Sequence, residues 1–164
     1  MMPIHTILHP TDFSPQAETA FNLACALARD YGARLIVMHV WEPPPVIYGD
    51  GYIPTPMPDT SEIFRSKLEN LRAADPTLPL ERRFLEGSPV AEILREARQT
   101  PADLIVMGTH GWGGLSRLFM GSVAEGVLRK APCPVMTVKT PAQVETGAAP
   151  VPAETAAKVE TAKA

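Results

Sequence analysis

The densest run of residues that could do chemistry lies between Gly108 and Val123, and it contains five glycines. Glycine at the end of a strand lets the backbone come close to a bulky anion, because it has no Cβ. Gly121 and Ser122 then open a predicted helix, whose first free N–H groups and positive dipole end attract phosphate. The run therefore predicts a cradle for phosphate groups.

The same residues also allow an interpretation without a ligand. Glycines mark turns in any protein, and the segment from Ser122 to Glu125 fits a capping box, in which a helix satisfies its own first N–H groups. Glycine-rich loops between a strand and a helix are also common in α/β proteins. The residues alone leave both interpretations open.

The spacing of the glycines excludes the better-known phosphate and nucleophile motifs. The chain has no GxxxxGK[ST] sequence, so it is not a P-loop NTPase. A GxGxxG pattern read from Gly111 places Ser116 where the third glycine belongs, which excludes the dinucleotide fingerprint. No GxSxG elbow surrounds Ser122, so the chain also lacks the nucleophile turn of α/β hydrolases.

Two charged residues could act on a bound phosphate. Asp12 directly follows the first predicted strand, and carboxylates at strand ends of an α/β sheet often bind ligands. It could also form the turn before Ser14. Arg117 could neutralise a terminal phosphate, and it could also be a solvated loop arginine.

A metal site is not expected from the remaining candidate ligands. His5 and His9 are four residues apart on one predicted strand and share a face, but only Asp12 is spaced to join them. Cys25 and Cys133 form no CxxC pair and are too few for a disulfide framework.

Short apolar runs alternate with segments of helical spacing along the chain. Strands are predicted at 4–9, 34–41, 80–86, 103–107 and 134–139. Helices are predicted from the Ser14-Pro15 pair to Gly32, over 61–74, from the Ser88-Pro89 pair through Ala97, and over 121–131. Gly32 suits the left-handed end of the first helix.

Strict alternation of strand and helix predicts right-handed crossovers, and hence an α/β fold with a five-stranded parallel sheet covered by helices on both faces. The third strand is the most polar of the five, which indicates a sheet edge. Ligands of such doubly wound sheets bind outside the carboxyl ends of the strands. The loops at 10–14, 40–42 and 108–121 are therefore the expected binding region.

The chain has 164 residues, of which 45% are apolar, and this length predicts one domain. We assign residues 1–140 to that domain. Six of the 18 prolines lie between residues 42 and 60, which predicts a long surface loop. Residues 141–164 are rich in alanine and have no aromatic residue, so we expect a disordered tail.

The charge pattern restricts the partners. Fifteen basic and 18 acidic residues are mixed along the chain for a net charge of −3, which gives no footprint for nucleic acid. No apolar run approaches the ~20 residues of a membrane span, and the N-terminus has no signal-peptide pattern. We expect a cytoplasmic protein that does not bind membranes.

Together, several segments resemble the ATP-binding branch of the universal stress protein family. Gly108, Gly111, Gly121 and Ser122 match its pattern G-x2-G-x9-G-[ST]. The other matching segments are 7–14, 39–40, 87–94 and 131–135. The resemblance covers residues 2 to 140, and the joint occurrence is far more specific than any one segment.

The resemblance implies an adenine nucleotide alpha hydrolase-like sheet with strand order 3-2-1-4-5, and it implies roles for individual residues. Asp12 would hold the ribose hydroxyls or a metal-bound phosphate oxygen, and the backbone of Val40 would pair with the adenine edge. Gly108, His110 and Gly111 would wrap the phosphates. The full set of binding residues implied is Pro10, Thr11, Asp12, Val40, Met107, Gly108, His110, Gly111, Gly113, Gly121, Ser122 and Val123.

The function implied is that of an ATP-binding stress-response regulator, whose nucleotide occupancy changes its conformation and its affinity for a regulatory protein partner. The ligand would be ATP, with or without Mg²⁺, and ADP and AMP stay open. A slow ATPase or phosphotransfer protein, and a nucleotide-free interaction protein, are the alternatives. We also expect a homodimer formed by the last strand, between Val135 and Lys139, because nothing in the predicted fold covers its edge.

Overall fold

The computed structural model describes residues 3–44, 59–109 and 120–139. Strands and helices alternate strictly through these residues, as predicted. The elements are β1 Thr6–Pro10, α1 Pro15–Tyr31, β2 Arg34–Trp41, α2 Ser61–Asn70, β3 Leu80–Glu86, α3 Pro89–Gln99, β4 Leu104–Gly108, α4 Ser122–Lys130 and β5 Val135–Val138.

All strand pairs of the five-stranded sheet are parallel, and the strand order is β3-β2-β1-β4-β5. Both the fold class and the strand order are confirmed. The chain runs outward from β1 through β2 to β3, and then crosses to β4 on the other side of β1. The order therefore reverses between β1 and β4, and this is where a doubly wound sheet binds ligands.

The helices divide into two pairs, one on each face of the sheet. On one face α1 and α2 cover a core that includes Ile7, Val37 and Val106. On the other face α3 and α4 cover a core that includes Leu8 and Ile36. Neighbouring residues of one strand are thus buried on opposite faces, which explains the continuous apolar runs of the central strands.

Both ends of α1 follow from local sequence. The Ser14 hydroxyl accepts a hydrogen bond from the Ala17 N–H at 3.2 Å, and Pro15 takes the first helical position. Gly32 ends the helix with a φ of +64°, a left-handed conformation that glycine adopts without strain. The predicted bounds of this helix are confirmed.

Several predicted bounds are wrong by a few residues. The first strand is β1 at Thr6–Pro10 and not 4–9, and the second helix ends at Asn70 and not 74. Leu71 is extended, and the Arg82 guanidinium donates hydrogen bonds to the carbonyls of Leu68 and Leu71. Those carbonyls are therefore satisfied from β3, which stops the helix.

Small shifts also affect the second half of the chain. The fourth strand runs from Leu104 to Gly108 and not over 103–107, and the carboxylate of Asp103, just before it, accepts hydrogen bonds from the N–H groups of His5 and Thr6. The last helix is α4 at Ser122–Lys130 and the last strand is β5 at Val135–Val138, each shorter than predicted.

The edge strands are β3 and β5, so the prediction that the third strand lies at a sheet edge is confirmed. Most of the proline-rich segment and the segment after residue 139 lie outside the described residues. Among the helices in the described ranges, none has the length and apolar character needed to cross a membrane.

Candidate functional site

The loop after β1 holds Asp12 in a defined turn. The Asp12 carboxylate accepts a hydrogen bond from the Ser14 N–H at 3.0 Å, and the Thr11 hydroxyl accepts one from the Phe13 N–H at 3.1 Å. Phe13 has a φ of +61°, the left-handed conformation that is uncommon for an aromatic residue. The turn role considered for Asp12 is therefore real, and it fixes this carboxylate at the carboxyl end of β1.

Val40 presents its peptide groups beyond the end of β1. The Thr11 N–H donates to the Met38 carbonyl at 2.8 Å, while the Gly87 N–H donates to the Trp41 carbonyl at 3.0 Å. Peptide groups of alternate residues along a strand point the same way, so those of Val40 point to the β1 side, as those of Met38 do. Because β1 pairs with β2 only as far as Pro10, no residue of β1 lies opposite Val40.

The start of α4 lies next to the end of β4. The Gly121 N–H donates to the Thr109 carbonyl at 2.8 Å, and the Thr109 N–H donates to the Val138 carbonyl at 3.1 Å. These bonds join the two ends of the glycine-rich segment at the carboxyl edge of the sheet. The helix that follows is therefore aimed with its amino end at this edge.

The capping box that was considered as an alternative for the start of α4 does not form. Gly121 is the N-cap residue, Ser122 is already helical, and among the described residues no side chain caps this end. The Glu125 N–H donates to the Gly121 carbonyl at 2.9 Å, so the helical bonds begin there. The N–H groups of Ser122, Val123 and Ala124 have no partner within the helix, which suits an anion.

Gly108 has a packing role that its motif position does not reveal. A Cβ at this residue would lie 3.1 Å from the Gln16 Cβ and 3.2 Å from the Ala17 nitrogen. The end of β4 therefore approaches the first turn of α1 so closely that a Cβ would require the backbone to shift by a few tenths of an ångström. The absence of a Cβ lets the two elements pack, whatever ligand lies near them.

We expect Gly108→Ala to destabilise the protein by about 1–3 kcal/mol, because strand and helix backbone must move apart. Urea unfolding in the absence of any nucleotide measures this. Unchanged stability combined with lost nucleotide affinity would contradict the packing role and favour a role in phosphate binding alone.

The described site residues cluster at one edge of the sheet. Pro10, Thr11 and Asp12 end or follow β1, and Met107 and Gly108 end β4. The side chains of Val40 and Met107 belong to the core on the α3 and α4 face, so Val40 can offer only backbone to a ligand. Of the other predicted residues, His110, Gly111, Gly113 and Arg117 lie outside the described residues.

The two histidines considered for a metal have separate partners. The His5 side chain is exposed beside Asp103, whereas the buried His9 ring donates from Nδ1 to the Val106 carbonyl at 2.8 Å. Burial lowers the pKa of His9 to about 4. Over 3–44, 59–109 and 120–139, no group of three or more His, Cys, Asp or Glu side chains could hold a metal ion.

His39 is a site neighbour whose role the sequence did not indicate. Its Nδ1 donates to the Thr11 carbonyl at 2.8 Å, and burial lowers the pKa of its ring. The neutral imidazole thus ties β2 to the loop that carries Asp12. The histidine type offered no signal for this, because the bond joins residues 28 positions apart.

Comparisons with known proteins identify the family of this chain. Residues 3–139 match the model of the universal stress protein family. A universal stress protein of Thermus aquaticus is 39% identical over 138 residues, which cover 82% of this chain and 98% of that relative.

Two solved structures extend the comparison to the fold. The universal stress protein UspA of Lactobacillus plantarum has a TM-score of 0.66 and 26% identity, over 85% of this chain and all of that one. A universal stress protein solved in complex with cAMP has a TM-score of 0.61 and 25% identity, over 84% of this chain and 98% of that one.

Proposed function

This chain belongs to the universal stress protein family, and we propose that it is an ATP-binding regulator whose nucleotide occupancy alters its conformation and its affinity for a protein partner. The proposed site is the sheet edge formed by the ends of β1, β2 and β4. ADP and AMP are the other ligands to be tested there.

The observation that carries this proposal is the peptide of Val40, whose N–H and carbonyl point past the end of β1. The edge of a purine base offers a hydrogen-bond donor and an acceptor side by side. The carbonyl and N–H of Val40 can therefore hydrogen-bond to it as they would to a neighbouring strand. Asp12 lies in the loop on that same side. Its carboxylate can accept hydrogen bonds from ribose hydroxyls next to the base.

The phosphates would then lie toward α4. The N–H groups of Ser122 and Val123 and the positive end of the helix dipole favour an anion at this position. His110, Gly111 and Gly113 would complete the cradle between Gly108 and Gly121. If Mg²⁺ accompanies the nucleotide, Asp12 is the carboxylate that would face it, because oxygen ligands suit this ion.

The structural neighbour bound to cAMP supports a ligand of the adenine nucleotide class. It does not decide between one, two and three phosphates. The family motif from Gly108 to Ser122 is what favours ATP. A nucleotide that stabilises one conformation of the site would also change the affinity for the protein partner. The two are linked because nucleotide and partner both shift the same equilibrium between conformations.

We test this function by asking which nucleotide the protein carries. The protein is purified without added nucleotide, denatured by heat, and the supernatant is separated by ion-exchange chromatography. ATP, ADP or AMP approaching one equivalent per chain is expected. A supernatant free of adenine nucleotides, from protein that also fails to take up ATP on incubation, contradicts the proposal.

We propose further that two copies of the chain pair through β5. This strand is an edge of the sheet, and Met136 on it is 39% exposed. Leu128 of the adjoining helix α4 is 48% exposed. An edge strand with apolar neighbours can extend its sheet by pairing with the same strand of a second copy.

Met136→Lys is expected to convert the dimer into a monomer, because a two-fold axis brings two like charges together. Sedimentation velocity measures the change in mass. Ile63→Lys, at an exposed position of α2, is the matched control and should leave the dimer intact. A wild-type chain that sediments as a monomer contradicts this interface.

A further inference from the structure

Four rings pack together beside the Asp12 loop, and we call Phe13, His39, Phe64 and Phe84 the aromatic cluster. The His39 ring lies 4.8 Å from the Phe64 ring and 4.9 Å from the Phe13 ring, between ring centroids. The Phe13 and Phe64 rings are stacked at 6.1 Å, and Phe84 lies 5.8 Å from His39. The cluster therefore joins the loop after β1 to β2, β3 and α2.

The cluster holds a strained part of the site loop. Phe13 keeps its left-handed φ of +61°, a conformation that persists only when the surrounding structure determines it. The contacts around it are the Phe64 and His39 rings, the Thr11 hydroxyl that accepts the Phe13 N–H, and the Ser14 cap of α1. Asp12 lies directly before Phe13, so the same contacts orient its carboxylate.

Phe64 is the member of the cluster contributed by α2. This helix is anchored at its start by the Trp41 Nε1–H, which donates to the Thr60 hydroxyl at 3.3 Å. It is anchored at its end by the Arg82 guanidinium. Lys67 of the same helix places its ammonium 5.4 Å from the Phe64 ring centroid and 5.9 Å from that of Phe13. The helix thus faces the site loop through Phe64 and Lys67.

We propose that Phe64 is a positioning residue for Asp12, through which the placement of α2 sets the nucleotide affinity of the site. This inference rests on the proposed function. Phe64 acts on Asp12 by packing on Phe13, and its side chain is not among the groups proposed to bind the nucleotide. A movement of α2 would therefore change affinity without any change in the groups that bind.

Phe64→Ala is expected to weaken ATP binding about threefold to tenfold in calorimetry, which corresponds to the free energy of one aromatic pair. Phe64→Tyr keeps the ring and should restore most of the affinity. Ile63→Ala, at a neighbouring position that is 57% exposed, is the matched control and should bind as the wild type does. Urea unfolding of each variant establishes that it is folded.

A double-mutant cycle with Asp12→Asn distinguishes two effects of Phe64→Ala on nucleotide affinity. One acts through the position of the Asp12 carboxylate, and the other is a loosening of the whole site. Asparagine can still form the turn with the Ser14 N–H, but it lacks the carboxylate charge. If Phe64 acts through that carboxylate, Phe64→Ala costs little further affinity in the Asp12→Asn background. Fully additive losses, or an unchanged affinity in Phe64→Ala alone, overturn the proposal.

Amide hydrogen exchange of the nucleotide-free protein tests the same coupling without a ligand. Phe64→Ala should speed the exchange of the Phe13 and Ser14 amides, whose hydrogen bonds form the turn. Ile63→Ala should not. Unchanged exchange in Phe64→Ala refutes the positioning role, whereas a wild-type chain that binds no nucleotide refutes the proposed function and leaves this measurement to decide the positioning role.

Discussion

Gly121→Asp is expected to weaken nucleotide binding by about 100-fold or more, since facing like charges cost several kcal/mol. Gly121 is the N-cap of α4 with a φ of −62° and a ψ of 146°, an extended conformation that aspartate adopts freely. Its carboxylate would accept the N–H of Val123 or Ala124, at the same helix end that is proposed to bind phosphate. The same carboxylate should stabilise α4 by about 0.5 kcal/mol, because aspartate is a good cap near a positive helix end.

Gly121→Asn is the matched control, because asparagine has nearly the same shape and capping ability without the charge. Affinity for ATP by calorimetry should fall far less in this variant, while urea unfolding should show similar stability in both. Equal affinities in the aspartate and asparagine variants would contradict the placement of a phosphate at the start of α4.

The protein is expected to lose about 2 kcal/mol of stability between pH 7 and pH 5 through the imidazole of His9. Burial lowers the pKa of His9 to about 4, against the opposing effects of the Val106 carbonyl and the Asp12 charge. The unfolded chain binds a proton near pH 6.5, whereas the folded chain resists protonation until about pH 4. Stability is therefore full above pH 6.5, falls as the pH drops, and reaches its whole loss of about 3 kcal/mol below pH 4.

His9→Asn removes this titration while keeping an N–H donor that can reach the Val106 carbonyl. Urea unfolding at pH 7 and pH 5 should show a smaller stability difference than in the wild type. The pKa of His39 is also lowered by burial, so His39 accounts for the pH dependence of stability that remains in the His9→Asn variant. His5→Asn is the control, because the His5 side chain is 75% exposed. If both variants reduce the stability difference between pH 7 and pH 5 equally, the assignment of that difference to His9 is contradicted.

Elements controlled by neighbouring residues could be predicted from the sequence. The Ser14-Pro15 start and the Gly32 end of α1 depend on a hydroxyl, a fixed φ and a left-handed glycine within one helix. The strand order was predicted from the family resemblance, and the parallel sheet followed from alternation alone. The edge position of β3 followed from its polar residues.

Features that depend on distant contacts could not be predicted. Ser122 and Glu125 fit a capping box, yet the bond from Gly121 to Thr109 places the N-cap one residue earlier. The contact of Gly108 with the first turn of α1 joins residues more than 90 positions apart. The hydrophobic periodicity of the sequence does not indicate this close contact, because the contact depends on how strand ends and helices meet in the folded protein.

The aromatic cluster was missed for the same reason. Its residues lie on a loop, two strands and a helix. In the sequence, each of them can be interpreted simply as a residue of the hydrophobic core. The direction of the Val40 peptide was likewise implied only by resemblance. It follows from the structure because β2 extends beyond the end of β1.

Titration of ATP into nucleotide-free protein by isothermal calorimetry tests the central claim most directly. We expect saturable binding to one site per chain with a Kd of about 1 μM or tighter, as retention of nucleotide through purification requires, and we expect GTP to bind more weakly because its purine edge differs from that of adenine. Binding of ADP and AMP under the same conditions defines how many phosphates the site requires. Folded protein that binds none of ATP, ADP and AMP at millimolar concentrations would contradict the account.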